Sequence, residues 1–79
     1  MRVKIFISFK EGVLDPQGKA VQSSLHTLGY QEVRDVRMGK YLEIELEASS
    51  RHAAEARIRE MCDKLLANPV IESYRIEVD

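Results

Sequence analysis

Apolar residues hold every odd position of the first strand-like run, Val3, Ile5, Ile7 and Phe9, while Arg2, Lys4 and Ser8 hold the other parity. Alternation of period two predicts a half-buried strand. Phe6 interrupts the polar face and is a candidate contact with a neighbour. After Pro16 the period changes: Val21, Leu25 and Leu28 recur at i, i+4 and i+7 with Ala20 beside them, which predicts an amphipathic helix to about Leu28. Gly29 ends it, since glycine accepts the left-handed conformation just past a last helical turn.

From Val33 to Glu47 the even positions Val36, Met38, Leu42, Ile44 and Leu46 are apolar on both sides of Gly39-Lys40. A two-residue hairpin loop at Met38-Gly39 would put Val36 and Leu42 on opposite faces, so that turn is disfavoured. Two arrangements satisfy the pattern. Either an odd-numbered loop over Met38 to Lys40 closes a hairpin, or one long strand bends at Gly39. The long strand would span about 45–50 Å, more than one small domain covers, and its overhang would have to pair with another subunit. Ser49 or Ser50 then caps a second helix, with Ala54, Ile58, Met61, Cys62 and Leu65 as its apolar stripe. That helix should stop near Ala67, with Asn68 in the left-handed position and Pro69 forbidding continuation. A last strand follows from Glu72 to Val78, with Tyr74, Ile76 and Val78 on one parity.

These elements predict an α+β fold over a single domain, residues 1–79: a two-layer, ferredoxin-like sandwich in the order strand, helix, strand (long and bent, or hairpin), helix, strand. Both helices would cover one face of an antiparallel sheet, leaving the other face, with Phe6, Tyr41 and Val33, to water or a neighbour. The turn before the first helix reads Gly-Val-Leu-Asp-Pro-Gln-Gly over 12–18. Asp15 suits an N-cap, because its carboxylate accepts from orphaned first-turn N–H groups, and Pro16 suits a first helical position that needs no N–H. Of Val13 and Leu14, one can staple onto the helix and the other is left for a different surface.

Composition narrows the function classes. A chain of 79 residues buries only about 60% of its unfolded surface, so such a domain often needs a partner. Twelve basic residues against thirteen acidic leave a net charge of −1, which gives no field for nucleic acid or anionic lipid. The N-terminus begins a charged, alternating strand rather than the apolar core of a signal peptide, and no run is long enough to span a membrane. A soluble, cytoplasmic chain is expected, and the lone Cys62 suits a reducing compartment. Cys62, His26 and His52 are too scattered for a metal site, and Cys62 on an apolar stripe reads as a buried structural thiol. No phosphate loop is present, and Gly39-Lys40 alone is too short to count. Nothing in the spacing of Lys10, Lys40 and Asp15 favours an active site built on them.

Four runs together resemble the PurS subunit family of phosphoribosylformylglycinamidine (FGAM) synthase. They are the 12–18 turn, Leu-Gly-Tyr at 28–30, Val-Arg-Met-Gly-Lys at 36–40 and Met-Cys-Asp-Lys-Leu-Leu-Ala-Asn-Pro-Val-Ile-Glu-Ser-Tyr at 61–74. The resemblance implies a non-catalytic component of the enzyme that converts formylglycinamide ribonucleotide to its amidine with ATP and glutamine. It implies a PurL-like synthetase subunit, which holds ATP and magnesium, and a PurQ-like glutaminase subunit, with this chain bridging them and supporting ammonia transfer. No cofactor or metal is expected on this chain itself. A dimer, or a dimer of dimers, is expected, with Val13, Leu14, Asp15, Gln17, Phe6 and Tyr41 facing partners. The rival reading is a dimeric small-molecule-sensing module, which fold analogy alone supports.

Overall fold

In a computed structural model that describes residues 1–79, the alternating N-terminal run forms strand β1, Arg2–Phe9. Helix α1 spans Pro16–Thr27, β2 Gly39–Glu45, α2 Arg51–Met61 and β3 Glu72–Val78, with one π-helical turn, Cys62–Leu66, prolonging α2. The sheet order is β2-β1-β3, and both pairings are antiparallel. Ile5 lies opposite Leu42 and Ile76, so the apolar parities of all three strands share one face, whereas Phe6 lies opposite Tyr41 and Arg75 on the other. The expected α+β order and antiparallel sheet are therefore present.

Helix α2 covers the β1–β3 side of the apolar face. Its N-cap is Ser50, whose hydroxyl accepts from the Ala53 N–H at 3.1 Å. Ala54, Ile58 and Cys62 join Val3, Ile5 and Ile7 in the core, all but fully buried. The expected stripe fails at Leu65, which is 83% exposed. In the π turn the Ala67 N–H reaches back five residues to the Cys62 carbonyl, and this wider turn advances each side chain by a smaller angle. Leu66 consequently swings onto the core and Leu65 off it. Asn68 is not left-handed either, since no non-glycine residue has positive φ. Its side-chain oxygen instead accepts from the Val70 N–H at 3.0 Å, turning the chain into β3.

The central segment makes no hairpin. Residues 33–38 run back along α1 without pairing to any strand, and β2 begins at Gly39, opposite Ser8. Side chains tie this return to the helix: Gln22 Nε2 donates to the Arg34 carbonyl at 3.1 Å, His26 Nε2 lies 2.7 Å from the Val33 carbonyl, and Lys19 faces Asp35 at 3.9 Å. Because the return leads α1 off the end of the sheet, α1 does not lie over the apolar face beside α2. Val21 is 38% and Leu28 73% exposed, and Leu42, Ile44 and Leu46 on the β2 side of the covered face are only half buried. The chain measures 51 × 24 × 14 Å, with a radius of gyration of 15.9 Å, against about 12 Å for a compact domain of this length.

Candidate partner-binding surface

The turn between β1 and α1 is built around Asp15. Its Oδ1 accepts from the Gly18 N–H at 2.9 Å, the expected cap, and its Oδ2 accepts from the Met38 N–H at 2.7 Å. One carboxylate thus closes the helix and fastens the far end of its return segment. Asp15 is 6% exposed, so this side chain serves the interior of the chain rather than its outer surface. The Gly18 and Met38 N–H groups hold its carboxyl below the ordinary value of 3.8, and the nearby Arg37 charge acts in the same direction. A depressed pKa contributes stability that is present above the unfolded-state value and is lost as pH falls through the folded one. As pH falls from about 3.8 through the lower folded-state value, the tie between α1 and its return segment should therefore weaken progressively. Asp15→Asn keeps one acceptor oxygen but cannot accept at both sites, and it should lack this acid step. Following the α1 amide resonances against pH in both proteins checks this. A shared acid profile would assign the step to other groups.

Around Asp15 the remaining turn residues divide. Val13 is half buried, and its N–H donates to the Lys10 carbonyl at 3.1 Å. Leu14 is 67% exposed, at the rim of a shallow depression shared with Val13, Lys19, Val36 and Arg37. Gln17 is exposed on the other side of the turn, where it faces the sheet end. Leu14 is the apolar residue that the cap leaves outside.

Phe6 and Tyr41 form a second surface on the open face of the sheet. Their ring centroids lie 5.0 Å apart, and the Arg75 guanidinium stacks 4.3 Å from the Phe6 ring centre on the other side. The Tyr41 hydroxyl donates to Glu43 at 2.8 Å, a bond that raises the phenol's pKa by placing a carboxylate beside it. Arg75 was missed by sequence reasoning, because only the strand register brings it beside Phe6. The exposed apolar stripe of α1 was missed because its residues carry an ordinary buried-helix pattern.

Groups with chemical potential elsewhere are engaged in holding the fold. Cys62 is buried, which pushes its thiol pKa up and disfavours the reactive thiolate. Lys10 Nζ donates to the Pro69 carbonyl at 2.8 Å; Lys40 Nζ lies 3.4 Å from the Leu66 carbonyl and 3.5 Å from Glu72, so both lysines clamp the connection between α2 and β3. No three His, Cys, Asp or Glu side chains gather where a metal ion would be held. No helix is long and apolar enough to cross a membrane.

Comparison with known proteins finds relatives that match along almost the whole chain. Residues 2–79 match the family model described as PurS: Phosphoribosylformylglycinamidine (FGAM) synthase. The phosphoribosylformylglycinamidine synthase subunit PurS of Bacillus subtilis is 56% identical over 99% of this chain and 92% of its own length. Its solved structure agrees with a TM-score of 0.89, covering 99% of this chain and 96% of that one. PurS of Methanocaldococcus jannaschii, described as a subunit of formylglycinamide ribonucleotide amidotransferase, is 38% identical with a TM-score of 0.90 over 99% of this chain and 94% of that one. A chain in the structure of PurLQS from Thermotoga maritima is 29% identical, with a TM-score of 0.87 over 96% of this chain and 93% of that one. A match that runs the length of the chain, in sequence and in three dimensions alike, places this protein in the PurS family, as a PurS subunit of FGAM synthase.

Proposed function

We propose that this chain joins a PurL-like synthetase subunit to a PurQ-like glutaminase subunit, so that ammonia released from glutamine reaches formylglycinamide ribonucleotide on the synthetase, where ATP and magnesium are bound. The observation that carries this reading is the Thermotoga maritima PurLQS assembly, which contains a chain of the same fold. The workplace of such an assembly is the cytoplasm.

The working form in this reading is a dimer. One half of the apolar sheet face, at Leu42, Ile44 and Leu46, lacks a helix, and one helix, α1, lacks a sheet. Two copies related by a two-fold axis satisfy both needs reciprocally, α1 of each lying on the β2 side of the other and residues 33–38 pairing with the partner's sheet. A dimer of dimers through the Phe6–Tyr41 face is the natural extension.

Leu14, Val13 and Gln17 on the turn are the proposed contacts to the synthetase subunit. Leu14→Ser removes an exposed side chain, so isolated stability should change by no more than about 0.5 kcal/mol. Association with the synthetase should weaken about tenfold, equivalent to about 1.4 kcal/mol. Glutamine-driven turnover of the reconstituted complex should fall with it, and ammonia-driven turnover much less, because free ammonia does not need the subunits to be joined. Equal loss from both nitrogen sources would refute a bridging role for this turn.

A further inference from the structure

We propose that α1 and its return segment form a rigid arm that pivots at the end of the sheet, and that Arg37 is the latch that sets the arm's angle. The arm is internally well tied, by Asp15 to Met38, Lys19 to Asp35, Gln22 to Arg34 and His26 to Val33. Its attachment to the sheet is slight. Two stretches of backbone cross the junction, through Lys10–Val13 and through Met38–Gly39, and the first contains Gly12 at φ 82°, where a β-carbon would meet no other atom within 4 Å. Only one side chain adds polar bonds across it. The Arg37 guanidinium, carried on the return segment, donates to the carbonyls of Phe9 and Lys10 at the end of β1.

Room to move lies beside the latch. A cleft of about 250 Å³ separates Gln17 and Met38 of the arm from Ile7, Ser8, Lys40 and Glu72 of the sheet. The twelve residues of α1 extend about 18 Å, so a swing of about 20° carries its tip through about 6 Å. A pivot here needs only φ/ψ changes at a few connecting residues, as in other hinged proteins. In the exchanged dimer proposed above, the arm's angle becomes the angle between the two sheets and hence the spacing of whatever they carry. That consequence rests on the dimer reading, whereas the latch itself is a property of one chain.

Double electron–electron resonance between nitroxides at Thr27→Cys on α1 and Arg51→Cys on α2, in a Cys62→Ala background, reads the angle. Labelled protein is diluted into a large excess of unlabelled protein, so that only distances within one chain contribute. Arg37→Met should shift or broaden the distance distribution by several ångströms, on the order of the 6 Å swing, with sheet resonances unchanged, and Arg37→Lys should restore part of the original distribution. Residual dipolar couplings of the cysteine-intact protein, fitted separately to α1 and to the sheet, give the same angle should the labelled variants misfold. An unchanged distance and unchanged relative alignment in Arg37→Met would overturn the latch. Sedimentation of the same samples reports the dimer separately, so that failure of the dimer leaves the hinge measurement interpretable.

Discussion

Gly18→Ala is expected to open the arm and abolish productive assembly while leaving the sheet folded. A β-carbon at position 18 would lie 2.2 Å from the Val36 carbonyl oxygen and 2.7 Å from the Asp15 carboxylate, both fixed groups of the arm. Alanine is the better helix former by up to about 1 kcal/mol. Overpacking typically costs about 1–3 kcal/mol, and here the obstacle is backbone, so the clash should prevail. The return segment would be displaced from α1, freeing the Met38 N–H from Asp15, and the helix would lose the packing that sustains so short an element. A nitrogen–proton correlation spectrum should then lose dispersion for residues 16–38 and retain it for β1, α2 and β3. Sedimentation should show a shift to monomer, and glutamine-driven turnover with the partner subunits should collapse. A native spectrum with unaltered assembly would mean that the helix and its return are not in the close contact described.

Ile5→Ala should come close to unfolding the protein altogether. Ile5 is fully buried on the central strand, opposite both Leu42 and Ile76 and in one cluster with Ile58 and Cys62. Truncating such a side chain costs about 2–5 kcal/mol through lost transfer energy and a residual cavity. A domain of this length has only about 4–12 kcal/mol in total, and just nine of its 79 residues are buried, so no second core compensates. Leu65→Ala is the control: at 83% exposure the same chemical deletion should change stability by no more than about 0.5 kcal/mol. Urea titration at fixed protein concentration gives both values. A large loss from Leu65→Ala would place Leu65 back on the core stripe and contradict the phase shift of the π turn.

Leu65 marks the boundary between what local pattern contains and what packing supplies. Odd-position alternation in β1, helical spacing in α2 and the Asp15-Pro16 start of α1 were legible in the sequence, because each depends on chemistry within one or two turns of chain. So was the continuity of parity across Gly39, which already disfavoured the commonest hairpin. The family was legible too, since its motifs are contiguous runs. Between hairpin and long strand the sequence was neutral, and the phase of the last α2 turn was concealed: an α-helical wheel assigns Leu65 to the core, and only the five-residue hydrogen bond from Ala67 to Cys62 turns Leu66 there instead. An apolar stripe states that a helix has a surface to bury, without stating which surface or whose. The α1 stripe of Val21, Leu25 and Leu28 therefore promised cover for this chain's own sheet. The tertiary structure decided otherwise, because the second carboxylate oxygen of Asp15, 23 residues from Met38 in sequence, fastens the return segment along α1 and holds the helix beyond the end of the strands.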